Sequence, residues 1–380
     1  MTRTTTYAAA RTVAATIESH FAQHQNDARQ KGALNVAPAP SMKVVEALID
    51  AAFWASLRKE EGQSPKISLA FLPPEQAGKP LLFAQRLPLT SHNLTKLAPG
   101  VERAGIHIGV WKEHGELYMW GTTREILSFC FVLDVSEPGL LVVKHRRSTG
   151  YGKFANVAVL KGDVVKIIDE DSDSLPDCPA VVSSMLGFTA PASWNDSVNV
   201  LVQLAVSMRA HGRGGMLLVV PTGSEKWQQS IIHPLPYAIA PAFSALTELI
   251  QQEKENKDLS LWQGAMRREI DGLAGLTAVD GATIINDRHE LLAFGAKIIR
   301  ADGNELAEQI VLTEPVVGNE PVILHPTQNG GTRHLSAAQF VHDQRDSIAL
   351  VASQDGRFTI FSWSPCENMV HAHRVDTLLL

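Results

Sequence analysis

Cysteine is scarce in this chain, and an excess of positive charge is missing. The three cysteines, Cys130, Cys178 and Cys366, lie far apart, are odd in number and form no C-x-x-C pair. A disulfide framework and a zinc ribbon both need closely spaced or evenly paired thiols, so neither is expected. Each cysteine is expected to be a small buried or half-buried side chain. Lys and Arg number 34 against 40 Asp and Glu, a formal charge of −6. That balance argues against a general nucleic-acid coat and leaves room only for a local basic pocket. The longest apolar runs, such as Met216–Pro221, fall far short of the ~20 residues of a membrane span. Residues 1–10 hold threonines and an arginine but no apolar segment of signal-peptide type. The expectation is a soluble, reduced, cytoplasmic protein that has neither a membrane nor a nucleic-acid polymer as partner.

What is present is globular. The chain is 45% hydrophobic and 19% charged, and 380 residues suit about two domains. Val13, Ile17 and Phe21 fall near helical spacing, and a polar stretch follows to Ala39, so residues 1–40 read as a peripheral helix and a linker. Ser41 precedes Val45, Leu48, Ile49, Ala52 and Phe53, the stripe of an amphipathic helix. Ile67, Leu69 and Phe71 then alternate as a half-buried strand does. From Gly105 the pattern is β: Ile106, Ile108 and Val110, a His114-Gly115 turn, Leu117–Trp120, Phe129–Val135, Leu140–Val143 and Val157–Ile168. Residues 41–190 thus form an α+β module. Lys144-His145-Arg146-Arg147 and Lys153 read as a solvated hairpin tip. Asp169, Asp171 and Asp173 lack the Gly and Glu of a calcium loop, since Ser174 and Ala180 stand there. They read as a linker, with the boundary before Trp194.

The second half, 193–380, opens with a Ser193–Asp196 capping box and a helical stripe from Val198 to Met208, stopped by Gly212. Arg213-Gly214-Gly215 leads into the buried-strand run Met216–Val220. The glycines precede the strand, the reverse of a phosphate-loop fingerprint. Pro241 suits the first turn of a helix carrying Phe243, Leu246, Thr247 and Ile250. Ser260 with Gln263 caps another, bearing Trp262, Met266 and Ile270. Leu276–Asp287 reads as a strand, turned by Asp287-Arg288-His289 into Leu291–Ile299. A polar loop with Pro315, Pro321 and Pro326 follows, then a helix His334–Gln344, a strand Ile348–Ala352 and a hairpin at Asp355-Gly356 into Phe358–Trp363. His289 and His325 read as loop histidines. His371 and His373 alternate without a third metal ligand.

Two clusters carry chemistry. In Asp280-Gly281-Ala282 two tiny residues follow a carboxylate, which lets a ligand approach the backbone beside it. In Gly330-Gly331-Thr332-Arg333-His334 two glycines, a hydroxyl, a guanidinium and an imidazole stand at an expected helix entrance, where free N–H groups and the dipole favour an anion. Together they read as carboxylate and phosphate cradle of a metal-bound polyphosphate site.

With these blocks in this order, Ser193–Trp363 resembles the diadenylate cyclase (DAC) domain, and the preceding half resembles a DACNV-like sensor domain. The resemblance implies an α/β fold: a DAC-type mixed sheet flanked by helices, preceded by an α+β domain. It also implies that two ATP become cyclic di-AMP and two pyrophosphates, with Mn2+ or Mg2+, in a homodimer or larger assembly whose half-sites face each other. Asp280 would hold the metal or orient the attacking 3′-hydroxyl. Gly281, Ala282, Gly330, Gly331, Thr332, Arg333, His334 and Ser353 would bind nucleotide, with His334 able to donate and to be protonated beside phosphate. The family's Arg-His-Arg reads Arg333-His334-Leu335 here, and Gln354 follows Ser353. The segment between the blocks is about twenty residues longer than the best-known branches have. Its Arg300, Asp302, Glu305 and Glu308 would either replace the missing arginine or cover the site. The alternatives are a DAC-like domain that binds nucleotide without turnover, and a related nucleotidyltransferase with another product.

Overall fold

The computed structural model describes residues 5–33, 35–103, 105–147, 154–170, 172, 177–186, 196–252 and 259–380. The chain divides into two compact units, one running to Ile168 with Leu380 counted in it, the other from Asp169 to Leu379.

The first unit opens with α1 (Ala8–Gln30) and α2 (Met42–Ser56). Val13, Ile17 and Phe21 are at most 1% exposed, and Phe21 packs on Phe131 with ring centroids 5.3 Å apart. Helix α1 is therefore core, not periphery; fully burying side chains of this size stabilises by roughly 1.5–3 kcal/mol each. Its start is anchored on α2. Asp50 Oδ1 accepts from the backbone N–H of Thr6 and of Tyr7, both at 2.8 Å, and the Tyr7 ring stacks flat on Phe53. The α2 stripe buries Val45, Leu48, Ile49 and Ala52 as its spacing predicts.

The sheet of this unit contains β1 (Ile67–Phe71), β2 (Leu81–Pro88), β3 (His107–Glu113), β4 (Glu116–Thr123), β5 (Phe131–Glu137), β6 (Leu140–Arg146), β7 (Phe154–Lys161) and β8 (Val164–Ile167), with α3 (Ser91–Leu97) between β2 and β3. Their spatial order is β2-β4-β3-β1-β5-β6-β7-β8. The β1–β3 pair is parallel and the others antiparallel. His114 and Gly115 both have positive φ, 49° and 84°, the backbone a tight two-residue hairpin needs. The basic run is not a solvated tip. Lys144 pairs with Asp134 at 3.0 Å, His145 is fully buried and Arg146 donates to the Ile126 carbonyl. Residues 148–153 lie outside the described residues.

In the second unit α4 (Ala180–Leu186) follows Asp177, whose Oδ2 accepts from Ser364 Oγ at 2.7 Å and from the Cys366 N–H at 2.9 Å. The described residues from Asp177 to Leu186 thus fold with this unit. Asp171, Asp173, Ser174, Ser193 and Trp194 lie outside the described residues, as does the Ser260 side chain. Next come α5 (Asp196–Ala210), β9 (Gly215–Val220), β10 (Tyr237–Phe243), α6 (Ala245–Gln252), α7 (Leu259–Leu276), β11 (Ala282–Asn286) and β12 (Leu291–Ala296). The unit closes with β13 (Ile310–Thr313), β14 (Val322–Leu324), α8 (Pro326–Asn329), α9 (Thr332–Asp343), β15 (Ile348–Ala352), β16 (Phe358–Ser364) and β17 (Met369–Arg374). The sheet order is β10-β12-β11-β9-β15-β16-β17-β13-β14, mixed as expected, with β9–β11 and β13–β17 parallel.

Helix α9 lays Ala337, Ala338, Phe340 and Val341 on the sheet face that carries Met216, Leu218 and Val220. Alternation sends Leu217 and Val219 to the other face, the side on which Gly215 meets Thr277 at the end of α7 and on which α5 and α7 pack together. Four expectations shift. Pro241 sits in edge strand β10, where a missing N–H is tolerated, and the helix begins at Ala245. Leu276 ends α7, so the strand starts only at Ala282. The proline-bearing loop contains β13 and β14. Cys366 is exposed, while Cys130 is buried and Cys178 half-buried. His371 and His373 are buried on β17 and bonded to Glu367 and Thr313. Among the described residues no helix is long and apolar enough to cross a membrane.

Candidate functional site

Strand register brings the two chemical clusters to one end of the second sheet. Thr283 of β11 lies opposite Leu217 of β9 in parallel pairing, so Gly214 and Asp280-Gly281 precede neighbouring strands at the same end. Strand β15 runs antiparallel to β9 with Ala352 opposite Gly215, which delivers Ser353 and Gln354 there. Strand β12 pairs Ala296 with Ala282 and delivers Lys297.

The N-terminus of α9 reaches the same corner. A Cβ added at Gly214 would lie 2.9 Å from Arg333 Nη1 and 3.3 Å from Gln354 Cγ, so the guanidinium rests on bare backbone. Gly214 has φ +72°, a conformation that disfavours other residues. Asp280, in the turn between α7 and β11, has a side chain 87% exposed and ion-paired with Lys297. Its carboxyl is held below the usual carboxylate range, first by the hydrogen bond and charge of Lys297 and then by the charge of Arg333. Asp280, Lys297 and Arg333 therefore share one electrostatic neighbourhood.

The remaining expected residues divide by exposure. Gly331 is the N-cap of α9 with no side-chain cap, and Thr332 is its first residue; both are exposed. Nothing lies within 4 Å of a Cβ built at Gly331. The first N–H groups of a helix have no partner within it, so this end can receive an anion. Ser353 is half-buried and hydrogen-bonds Asp355, whose carboxyl it helps hold below the usual range. Gly281 and Ala282 are built into the fold. Gly281, at φ +115°, packs so closely on β12 that a Cβ would meet the Gly295 carbonyl carbon at 2.5 Å. The Ala282 methyl is in the core. Their smallness serves strand packing rather than an open approach.

His334 falls on the buried stripe of α9, three and four residues before Ala337 and Ala338. It is 3% exposed, faces Thr359 at 3.4 Å, and covers Gly330, where a Cβ would lie 2.5 Å from its Nδ1. Burial pushes the imidazole down to about 4, so it is neutral at pH 7. Next to it, buried Asn329 accepts from Arg374 Nη2 at 3.2 Å. The Asn329 Nδ2 has no hydrogen-bond partner among the described residues, a vacancy that buried amides seldom tolerate.

Sequence reasoning missed Gly214, Lys297 and Asn329. The signal for Gly214 was the Arg-Gly-Gly run, passed over because it precedes the strand. Lys297 carries no local mark, because its partner Asp280 lies in the turn before the adjacent strand β11. Part of the long segment between the blocks runs beside α9 instead. Its backbone is pinned along the second half of α9 by Ala301 N–H to Asp343 at 2.8 Å and Ala307 N–H to Gln339 at 3.0 Å.

Residues 34–124 match the family described as "Probable sensor domain DACNV", about a quarter of the chain and all of it within the first unit. No curated protein matches the chain. Among solved structures it is similar to a hypothetical membrane spanning protein from Bacillus cereus, with 12% identity and a TM-score of 0.27, covering 48% of this chain and 65% of that one. It is also similar to DacA from Staphylococcus aureus, with 11% identity and a TM-score of 0.24, covering 47% of this chain and 85% of that one. At such identities and scores these are likenesses in outline only.

Proposed function

We propose that the second unit is a metal-dependent diadenylate cyclase, condensing two ATP into cyclic di-AMP with release of two pyrophosphates, and that the DACNV-like first unit regulates it. The observation that carries this reading is the corner at which the Arg333 guanidinium lies over Gly214 and its charge acts on the exposed Asp280 carboxylate. A divalent ion bound to substrate phosphates needs only one or two protein carboxylates, and Asp280 fits: it is ionised, exposed and adjacent to an anion-accepting helix end. Mn2+ or Mg2+ held there would offset charge developing on the phosphates.

The chain's own groups do the rest. Thr332 and the free N–H groups after Gly331 hold triphosphate oxygens. Arg333 adds charge-assisted bonds in a fixed fork, and Asp280 orients the 3′-hydroxyl aimed at the second nucleotide's α-phosphate. His334, neutral and buried, positions the Gly330 backbone and does not supply charge. Closing the ring requires two such half-sites face to face, hence a homodimer or larger assembly during turnover.

The test is incubation of the full-length protein with ATP and Mn2+ or Mg2+, with unbiased product detection by mass. Cyclic di-AMP with two pyrophosphates is expected, and Asp280→Asn lowers its rate at least about a hundredfold, the scale of losing a metal-held phosphate contact. Absence of product at high enzyme concentration with both metals overturns the cyclase.

A second reading has its own support. Leu335, where the family usually has arginine, is 37% exposed on α9 and offers phosphate nothing. A domain that binds nucleotide without turnover would then show thermal stabilisation by ATP and no product.

A further inference from the structure

The first unit holds a trough that the cyclase reading does not use. Its cavity of about 200 Å³ is lined by Trp111, Tyr118, Trp120 and Pro74 and by the charged side chains of Glu75, Arg86, Lys112 and Glu113. Strand pairing makes it: Trp111 of β3 stands directly opposite Tyr118 of β4, and alternation puts Glu113 on the same face as Trp111. The wall is fixed. Trp120 is 3% exposed, its Nε1 donates to the Leu72 carbonyl at 2.9 Å, and its ring lies on Gly109, where a Cβ would be 1.9 Å away. Trp111 is held by a tilted contact with Phe71, centroids 4.7 Å apart. At the mouth Arg86 and Glu113 form an ion pair whose side chains remain 51% and 43% exposed.

Size and charge define the occupant. Drug-sized ligands fill roughly 300–1,000 Å³, so this trough suits a one- or two-ring molecule. Two cationic and two anionic side chains line it, which gives a polyphosphate no net attraction. Aromatic walls stack planar rings, and the Arg86–Glu113 pair presents donors and acceptors together at one edge. We propose that this trough binds a neutral planar heteroaromatic ring of the nucleobase or nucleoside class. The ring stacks against Trp111 and Tyr118, and its polar edge is read by Arg86 and Glu113.

Calorimetric titration of the full-length protein with adenosine, guanosine, cytidine and uridine tests this. Benzamidine, benzoate and AMP serve as charged-ring controls. At least one neutral nucleoside is expected to bind more tightly than every charged probe. Trp111→Ala is expected to weaken it about tenfold, the scale of one lost stacking partner, and Glu113→Gln to weaken it several-fold. Asp280→Asn leaves this binding unchanged, which separates it from any nucleotide held by the second unit. Should Trp111→Ala fail to fold, Glu113→Gln and Tyr118→Ala carry the test. The proposal is overturned if no nucleoside binds at millimolar concentration, if a charged probe binds best, or if binding survives these substitutions.

Discussion

A glycine beneath a large side chain has opposite consequences in the two units. In the first, Gly109 lets the Trp120 indole lie on the sheet, where its Nε1 is bonded and the residue is 3% exposed. In the second, Gly214 lets the Arg333 guanidinium lie on bare backbone at a sheet end, half-buried beside an exposed carboxylate. The same missing Cβ gives a rigid apolar wall in one place and a positioned, partly hydrated charge in the other. The first is the wall of the trough proposed for a neutral ring, the second the corner proposed for phosphate.

Restoring the Cβ should therefore break the two sites differently. Gly109→Ala forces the Trp120 ring off the sheet, and neither a ring nor a backbone yields easily, so a loss of about 3 kcal/mol is expected. Urea unfolding followed by tryptophan emission measures it. A loss below the noise would mean that the indole is not held as described.

The next effect belongs to the second unit and depends on pH. Burial pushes His334 down to about 4 and His373 to about 3, against about 6.5 in the unfolded chain. The unfolded chain takes up these protons first. Stability is thus full above pH 6.5 and falls as pH drops toward 4, with His334 contributing on the order of 2 kcal/mol by pH 4.5. His334→Gln should flatten that part of the decline in denaturant titrations at pH 7 and 4.5; an unchanged slope would contradict the burial of a neutral imidazole.

Gly214→Ala is milder for stability. The obstacle is the far end of a flexible arginine, so about 1 kcal/mol is expected, mainly from the positive φ. Its larger consequence is a displaced guanidinium, read as weaker ATP binding. Lys297→Met has the smallest effect. The ion pair is exposed and such pairs stabilise little, but freeing Asp280 should lower the metal concentration needed for half-maximal ATP binding. A higher requirement would mean that Lys297 itself holds phosphate.

Much of this fold was legible because burial leaves a period. The continuous run of β9 and the 334–337–338–341 stripe of α9 announce themselves, and that stripe also contains the reason His334 is buried. Strand β2 was not legible, since it is an edge strand with mostly exposed residues and no alternation to read. Nor was Pro241 in β10, because edge strands tolerate a residue that otherwise signals a helix start. The trough escaped because Arg86 and Glu113 meet across intervening strand β4, and no spacing along the chain encodes that. Of the corner proposed to hold phosphate, Asp280 and Arg333 were the groups the sequence singled out. The Gly214 seat and the Lys297 partner needed strand register.

The most direct measurement is a double-substitution cycle at that corner. Affinity for metal and an ATP analogue that cannot release pyrophosphate would be compared in the original protein, Asp280→Asn, Arg333→Gln and the pair. If both groups act on one triphosphate, the double variant loses much less than the product of the two single losses, because the second substitution removes an interaction already broken. Losses that simply multiply would mean that Asp280 and Arg333 serve separate ligands, and the single-site reading would fall.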